Sequence, residues 1–240
     1  MNWTTLCQVS GNSFVKMASD SESEPRWKQL LRDVQASVPD ESGPHASRVG
    51  VVAEAVYRCW VGKQEGAIEG NVKEETARII RQAAMLHDVG KRKVPAELLA
   101  KSTELSAQEF AIIRTHTTAG AAYFDNPADA VEAMAQDVCL RHHERWDGKG
   151  YPGRHWEMRD GGLYPTLGLV GDDIPFAARV VALADVYDAL LSARVYKEPW
   201  PESQVLEHIR SERGAHFDPD LVDVFLEHYD EIRSARETLI

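Results

Sequence analysis

Residues His87 and Asp88 place an imidazole and a carboxylate side by side in the stretch Met-Leu-His-Asp-Val-Gly-Lys at 85–91. An apolar helical pattern over residues 79–86 leads into this pair. An ionised carboxylate is costly to bury unless a positive group compensates it. A divalent metal ion does so, because it takes histidine nitrogen and carboxylate oxygen together as ligands. The alternative is a hydrogen-bonded pair that closes the helix before Gly90 breaks it.

Further candidate donors lie at helix ends or in amphipathic helices elsewhere in the chain. Each has an ordinary structural explanation: the pair His142-His143 suits a helix C-terminus, and Asp185 could form an ion pair with Arg179. A common metal centre explains the presence of donors on several helices more simply, because helical bundles build multinuclear metal centres from inward-pointing side chains. Nitrogen and oxygen donors without thiolate favour iron, manganese, nickel or cobalt over a structural zinc ion. The candidate donors are His45, His87, Asp88, His116, His142, His143 and Asp185.

The elements that must position these donors follow from apolar periodicity, caps and helix breakers. Helices are predicted from Pro25, over 44–61, over 73–88, from the capping box Ser106/Glu109, from Asn126-Pro127, over 176–192, after Pro201 and from Asp218. Residues 146–175 are rich in glycine and proline and are predicted to form a long irregular loop. No β-alternation is recognised, so the expected fold is an all-α bundle with the metal centre in its core.

Composition limits the classes of function. The chain of 240 residues has a net charge of −11, which argues against binding a nucleic-acid polymer or a membrane surface, since both need a basic field. Its three cysteines are scattered without a CxxC pair, as in proteins of the reducing cytosol. No signal peptide or membrane span is recognised, so a cytoplasmic location is predicted. Residues 1–24 are expected to be a disordered or loosely packed tail before a single domain over 25–240.

Several longer strings of residues match motifs known from a protein family. The most specific is His142-His-Glu-Arg-Trp-Asp-Gly-Lys-Gly-Tyr-Pro152, which joins the histidine pair to a Gly-Tyr-Pro segment. It is accompanied by HDVGK at 87–91, ADVYDAL at 184–190, SARVYK at 192–197 and GAHFDP at 214–219. Together these strings resemble the HD-GYP family, a branch of the HD phosphohydrolase superfamily with an HD-domain helical bundle. The resemblance covers most of the chain, from residue 41 to residue 228.

The resemblance implies a set of metal ligands: His87, Asp88, His116, His142, His143 and Asp185. It implies two or three divalent ions, iron or manganese ahead of nickel or cobalt. Members with three ions add a Glu-x-x-x-His pair, and Glu41 with His45 has this spacing, although Pro44 marks a helix start between them. Asp188 would orient a ligand or a cation, or would form a structural salt bridge.

Catalytic and substrate-binding roles are implied as well. Asp88 and Lys91 would act in the reaction, with the Lys91 ammonium at the phosphate; the alternative for Lys91 is a solvated basic turn. Arg194 and Lys197 match positions that hold substrate phosphate in the family. Tyr151 of the Gly-Tyr-Pro segment could stack on a guanine or donate a hydrogen bond to a phosphate.

The function that the resemblance implies is hydrolysis of a cyclic dinucleotide by a metal-dependent phosphodiesterase. Cyclic di-GMP is the default substrate, opened to pGpG and in some relatives carried on to GMP. An insertion over residues 154–167 contains Trp156, Arg159 and Tyr164, and it keeps a preference for 3′3′-cyclic GMP-AMP open. The insertion could instead form a lid or a homodimer contact.

Two other classes of function remain open on the same scaffold. An HD-fold di-iron oxygenase would share the ligands, but it would have little use for Lys91 and the Gly-Tyr-Pro string, which suit a phosphate. A non-catalytic sensor of cyclic dinucleotides would be expected to lack some ligands, whereas this chain carries all six.

Overall fold

The computed structural model describes residues 24–37, 44–64, 69–154, 156–159, 162–165, 167–193 and 198–239. It describes only the backbone of the two strands within 156–165. The tail predicted over 1–24 lies outside these ranges except for Glu24. The single domain expected over 25–240 stays a prediction.

The described chain is helical, which confirms the predicted all-α class. The helices are α1 (Arg26–Ser37), α2 (Pro44–Gly62), α3 (Gly70–Ala84), α4 (Ala96–Leu99), α5 (Ala107–Arg114), α6 (His116–Ala122), α7 (Ala130–Arg141), α8 (Phe176–Leu191), α9 (Glu202–Ser211), α10 (Pro219–Glu227) and α11 (Tyr229–Glu237). Two 3-10 turns, Val89–Lys93 and Gly171–Asp173, connect them. None of the described helices has both the length and the apolar character that crossing a membrane requires. The cytoplasmic location therefore stays a prediction.

Helix α2 is the centre of the core. Its β-branched residues Val49, Val52 and Val56 are completely buried, and α3, α8, α10 and α11 pack around it. Burial of apolar surface contributes about 25 cal/mol per Å² removed from water, so this helix is a main source of stability. Helix α8 is also apolar over most of its length, and it carries Asp185 and Asp188 into the same region.

Two helix starts have the caps that the sequence predicts. Glu109 N donates to Ser106 Oγ at 3.2 Å while the Glu109 carboxylate accepts from Ser106 N at 2.8 Å, which completes the capping box of α5. Asp218 caps α10 directly ahead of Pro219. In both cases a local sequence pattern is enough to place the helix start.

The start of helix α7 was predicted too early. The prediction used Asn126 as the cap and Pro127 as the first helical residue, but α7 begins at Ala130. The Asp129 carboxylate accepts from Glu132 N at 2.9 Å and supplies the cap. A second cap residue shortly downstream therefore replaced the predicted one.

The helix that leads to the His-Asp pair was predicted too long. The prediction was 73–88, but α3 ends at Ala84. The following N–H groups bond three residues back, as His87 N does to Ala84 O at 3.2 Å, and this forms a tighter turn. The chain then enters the 3-10 turn Val89–Lys93. His87 and Asp88 consequently lie in a turn beyond the helix.

The loop over residues 146–175 contains a small β-hairpin that was not predicted. Strand β1 (Trp156–Arg159) pairs antiparallel with β2 (Gly162–Pro165), the first residue of one opposite the last of the other. In the sequence the strands are separated by Asp160-Gly161, a dipeptide that favours tight hairpins. The strands are too short to show alternation, which is why the loop looked wholly irregular. Strand β2 lies against α5, so the insertion packs on the helix that precedes His116.

Candidate metal centre

The imidazole and the carboxylate at the end of α3 converge. His87 and Asp88 are buried, with 0% and 6% of their surface exposed. His87 Nε2 lies 3.0 Å from Asp88 Oδ2. Lys91, in the following 3-10 turn, places its Nζ 2.6 Å from the same oxygen. The turn therefore presents an imidazole, a carboxylate and an ammonium at one place.

Two further helix termini bring histidines to Asp88. His116 is the first residue of α6, and its Nε2 lies 3.2 Å from Asp88 Oδ1. His142 directly follows α7, and its Nε2 lies 3.8 Å from the same oxygen. The ring centroid of His143 lies 4.1 Å from that of His142 and 5.1 Å from that of His116. We call Asp88, His116, His142 and His143 the first donor group; their ligand atoms lie within 4.8 Å of one another.

A second donor group adjoins the first. It consists of His45 from the first turn of α2, His87, and Asp185 from α8, again with ligand atoms within 4.8 Å of one another. Asp185 Oδ1 lies 3.3 Å from His45 Nε2 and 3.8 Å from His87 Nε2. Because His87 also contacts Asp88, the two groups are continuous. The structure thus brings together all the predicted donors that it describes, while Glu41 lies outside the described residues.

Backbone carbonyls orient three of the rings. The Nδ1 atoms of His87, His116 and His142 lie 2.8, 2.7 and 2.9 Å from backbone oxygens of the preceding turn. A carbonyl oxygen can only accept, so each Nδ1 carries the hydrogen and donates it. In the neutral ring Nε2 then keeps its lone pair, which is the tautomer that binds a metal through Nε2.

The histidines of the first group are neutral. Burial, reinforced by the neighbouring His87, lowers the pKa of His142 to about 3. Burial also lowers the pKa of His116, and it brings the pKa of His143 far below its ordinary value. At neutral pH these rings are uncharged, and an uncharged ring is the form that a metal ion binds.

The carboxylates are ionised. Burial alone would raise the pKa of Asp88, but the charge of Lys91 and the contact with the His87 ring outweigh burial and hold that pKa well below its ordinary value. Burial of Asp185 is likewise outweighed, by a hydrogen bond with His45 and the nearby ring of His87, so its pKa is also lowered. Two anionic carboxylates among neutral imidazoles form a donor set that suits divalent cations.

Three donor atoms of the first group lack a hydrogen-bond partner within the described part of the chain: Asp88 Oδ1, His116 Nε2 and His142 Nε2. A buried polar atom left in this state costs about 1–3 kcal/mol, so a cluster of them needs a physical reason. A divalent cation satisfies all three together, because each offers a lone pair. The residues present therefore fit a metal ion and could hold one.

Cys139 does not belong to the donor set. Its thiol donates to Leu86 O at 3.1 Å, and burial raises its pKa well above the ordinary value. A protonated thiol is a poor metal ligand. The two donor groups thus contain only nitrogen and oxygen, as the sequence indicated.

Asp188 supports His45 from behind. Asp188 Oδ2 lies 2.7 Å from His45 Nδ1, so the other ring nitrogen, Nε2, is directed at Asp185. The Nε atoms of Arg48 and Arg236 donate to Asp188 Oδ1 at 2.7 and 2.6 Å. The two roles considered for Asp188, orientation of a ligand and a structural salt bridge, therefore coexist in one network.

Gly90 lets the 3-10 turn approach α6. A Cβ at this position would lie 1.8 Å from His116 O and 2.5 Å from Gly120 N, far inside contact distance. Gly90 was predicted to break the helix, but α3 already ends at Ala84. The glycine is needed for this close approach of two backbones, which keeps Asp88 beside His116.

Glu144 anchors the Gly-Tyr-Pro segment, and the sequence analysis assigned it no role. Its buried carboxylate accepts from Gly153 N at 2.8 Å and from Leu169 N at 3.1 Å. Arg141 Nη1 donates to the same carboxylate at 3.0 Å. Glu144 thereby ties both ends of the insertion to the end of α7. Its only signal in the sequence is its position within the string 142–152.

Tyr151 lies beside the first donor group. Its backbone N donates to His143 O at 3.1 Å, and the two rings stack with centroids 4.7 Å apart at 24°. Burial raises the pKa of Tyr151, so its hydroxyl stays protonated and can donate a hydrogen bond. Other residues named for substrate contact fall outside the described residues or side chains: Trp156, Arg159, Tyr164, Arg194 and Lys197.

Comparison with known proteins gives a family match over the centre of the chain. The family model named HD domain matches residues 52–190. The 3'3'-cGAMP-specific phosphodiesterase 2 of Vibrio cholerae is 36% identical over 199 residues, which make up 83% of this chain and 34% of the relative. The cyclic di-GMP phosphodiesterase response regulator RpfG of Xanthomonas campestris is 41% identical over 213 residues, or 88% of this chain and 50% of the relative. The chain thus spans a third to a half of the length of these curated relatives.

Two solved structures share the fold. Bd1817, described as a HDG"Y"P protein from Bdellovibrio bacteriovorus, aligns with a TM-score of 0.53 at 17% identity and covers 95% of this chain and 63% of that one. The cyclic GMP-AMP specific phosphodiesterase V-cGAP3 of V. cholerae aligns with a TM-score of 0.51 at 18% identity, over 88% of this chain and 51% of that one. At such identities the likeness concerns the fold alone.

Proposed function

Because the chain belongs to the HD domain family, we propose that it is a metal-dependent phosphodiesterase that hydrolyses a cyclic dinucleotide. The observation that carries this proposal is the convergence of ionised carboxylates and neutral imidazoles from separate helices, beside the ammonium of Lys91. The names of the relatives, phosphodiesterases for cyclic di-GMP and for 3'3'-cGAMP, support the substrate class.

The two donor groups would hold two divalent ions, one in each group. Iron or manganese suits their nitrogen and oxygen atoms, with nickel and cobalt as alternatives. A third ion would need Glu41 together with His45, and that site stays a prediction. When bound, such ions stabilise charge on phosphoryl oxygens and lower the pKa of a water molecule.

The chain's own residues would orient the phosphate. The Lys91 side chain is partly exposed, so its ammonium can contact a phosphate oxygen next to Asp88. Positive charge at this place stabilises the negative charge that grows on the phosphate in the transition state. Asp88 holds Lys91 and the surrounding imidazoles in position, which is its proposed catalytic role. The protonated hydroxyl of Tyr151 offers a further hydrogen bond to the substrate.

Cyclic di-GMP is the proposed substrate, opened to pGpG, with further cleavage to GMP left open and with 3′3′-cyclic GMP-AMP as the alternative substrate. Relatives named for each nucleotide match the chain. The insertion lies against α5, and the ring of Phe110 on α5 lies 6.4 Å from that of Tyr151. An element in this position is suited to set the preference for a base. The homodimer contact considered for the insertion stays a prediction.

The test combines turnover with metal content. Protein loaded with Mn²⁺, or with Fe²⁺ in the absence of oxygen, is mixed with either cyclic dinucleotide, and the products are separated by chromatography. We expect the linear dinucleotide to form only with metal present. His87→Ala should lose turnover and the ion of the second donor group, measured as a drop in metal content by elemental analysis. His208→Ala, a histidine outside both donor groups, should retain both.

Four outcomes would contradict the proposal. A loaded sample that opens bis(p-nitrophenyl) phosphate but neither dinucleotide would reject the substrate class. Unchanged metal content in His87→Ala would show that the ions bind elsewhere. Oxygen uptake by the iron form, or tight nucleotide binding without turnover, would indicate an oxygenase or a sensor.

A further inference from the structure

Arg114, the last residue of α5, differs from the other arginines of the described chain. Every other arginine whose side chain is described has a carboxylate oxygen within 4.0 Å. Arg114 forms no such ion pair with any described residue. In a chain of net charge −11, carboxylates are plentiful, so a guanidinium two residues before His116 that has no carboxylate partner in the described ranges is a candidate for binding an anionic ligand.

Two aromatic rings hold the Arg114 guanidinium. Its Cζ lies 4.4 Å from the ring centroid of Phe110 and 4.9 Å from that of Tyr151. Its Nε is buried and has no hydrogen-bond partner among the described residues. Contact with aromatic faces fixes the position of a guanidinium without neutralising its charge. Arg114 as a residue is only half-buried, so the N–H groups at Nη1 and Nη2 can donate to an anion, whereas the buried Nε does not.

The position of Arg114 connects it with the candidate metal centre. Tyr151, which contacts Arg114, also stacks on His143 of the first donor group at 4.7 Å. Burial raises the pKa of the Tyr151 hydroxyl, and the charges of Arg114 and Lys91 both act against that rise. Arg114 from α5 and Lys91 from the 3-10 turn are thus two cations that act on one tyrosine at the edge of the centre.

A cyclic dinucleotide carries two phosphates, of which only one is cleaved at a time. The donor groups and Lys91 account for the cleaved phosphate, so the other phosphate needs further positive groups. Arg194 and Lys197, to which the resemblance assigns phosphate contacts, lie outside the described residues, and among the described ones Arg114 is a guanidinium without an ion pair. A guanidinium suits this task, because its planar fork can donate two parallel hydrogen bonds to a phosphate. We propose that Arg114 binds the phosphate that is not being cleaved. This inference rests on the proposed function.

The competing explanation is that Arg114 only supports the ring of Tyr151. The two roles differ for bis(p-nitrophenyl) phosphate, a substrate that has one phosphate. Support of Tyr151 would affect this substrate and the cyclic dinucleotide alike. A contact with the second phosphate would affect the dinucleotide alone. Comparison of the two substrates therefore separates the roles.

The experiment compares Arg114→Met with the wild type, both loaded with Mn²⁺. Methionine keeps an apolar stem between the rings and removes the charge. We expect KM for cyclic di-GMP to rise about 10- to 100-fold, the loss of one charge-assisted contact, with little change in kcat. The kinetics with bis(p-nitrophenyl) phosphate should stay unchanged. Arg114→Lys should recover part of the loss, and Arg210→Met, at an exposed ion pair with Glu207, should behave as the wild type.

Salt dependence tests the charge itself. Because ions screen a contact with phosphate, KM of the wild type should rise more steeply with KCl than KM of Arg114→Met. Equal salt slopes, an unchanged KM, or a parallel loss with both substrates would each overturn the assignment. If the wild type opens bis(p-nitrophenyl) phosphate but no cyclic dinucleotide, the proposed function fails and the second-phosphate contact fails with it. If the wild type opens the dinucleotide and Arg114→Met behaves identically, only the role of Arg114 fails.

Discussion

Asp88 and Asp188 are both buried carboxylates, yet the protein treats them differently. Asp188 is completely buried and receives hydrogen bonds from His45, Arg48 and Arg236. Asp88 has one oxygen in contact with Lys91, while its Oδ1 makes no hydrogen bond to any described residue. The carboxylate of Asp188 is neutralised by the chain's own cations, and we call these surroundings the closed region. Asp88 keeps one oxygen without a hydrogen-bond partner among the described residues, and we call its surroundings the open region.

The difference shows how the chain separates stability from function. Buried charge is tolerated when the fold supplies its partners, as it does for Asp188. Buried donor atoms without a hydrogen-bond partner destabilise the folded state. Binding of an external cation to these atoms stabilises it again. His45 belongs to both regions, because one ring nitrogen contacts Asp188 and the other faces Asp185. Asp188 of the closed region thus orients the ring of His45, whose other nitrogen belongs to the second donor group.

Replacement of the carboxylate in the open region should have the largest effect on activity. Asp88→Asn keeps the size of the side chain but removes the charge that both Lys91 and a metal ion need. We expect turnover of cyclic di-GMP to fall about 1,000-fold, because several kcal/mol of transition-state stabilisation by the metal are lost. Steady-state kinetics measure the loss of turnover, and elemental analysis measures the loss of bound metal.

Stability gives the matching control for Asp88→Asn. The ammonium of Lys91 is partly exposed, so the solvent can compensate it when the carboxylate is gone. The metal-free variant should therefore unfold in urea at nearly the same concentration as the metal-free wild type. Full metal content and full activity in Asp88→Asn would show that the open region is not a metal centre.

Replacement of the carboxylate in the closed region should act mainly on stability. Asp188→Asn leaves the charges of Arg48 and Arg236 without their shared anion, and both arginines are nearly buried. Breaking such a pair costs about 3 kcal/mol, which urea denaturation can measure. Through His45, activity should also fall about tenfold, as is usual when a group behind a ligand is lost.

A surface acid provides the control for Asp188→Asn. Glu207→Gln removes an exposed ion pair with Arg210 and should change the free energy of unfolding by less than about 0.5 kcal/mol. If Asp188→Asn were as mild as Glu207→Gln, the closed region would not be the stabilising network that its contacts indicate.

Ser192 is the least strongly bound member of the closed region and should give the smallest effect. Its hydroxyl accepts from Arg48 Nη2 at 3.0 Å and from Arg236 Nη2 at 3.2 Å, and lies 3.3 Å from Asp188 Oδ2. Ser192→Ala should cost about 1 kcal/mol, the net value of an ordinary hydrogen bond. Activity should stay within about twofold of the wild type, since the same energy is lost before and after substrate binds. A large loss of activity would show that the two regions are not separable.

Residue type and local spacing were enough to name side chains that the structure brings together. The donors of both groups were named from histidines and aspartates at helix ends or within apolar helices, and the capping box at Ser106 was placed correctly. The predictions were wrong where contacts with a segment remote in the sequence determine the role of a residue. The need for glycine at position 90 comes from α6, and Arg179 pairs with Asp172 and Asp218 instead of Asp185.

By itself, the amino-acid sequence determined the helical class, the family resemblance and the chemical types of the donors, because these depend on periodicity and on the identity of side chains. Only the tertiary structure decided which carboxylate is closed and which is open. Asp185 and Asp188 lie three residues apart on α8, yet packing of α2 and α11 brings Arg48 and Arg236 to Asp188. Arg114 likewise differs from other arginines only through the elements around it. Neutralisation of a charge depends on distances between remote segments, and a linear sequence does not contain those distances.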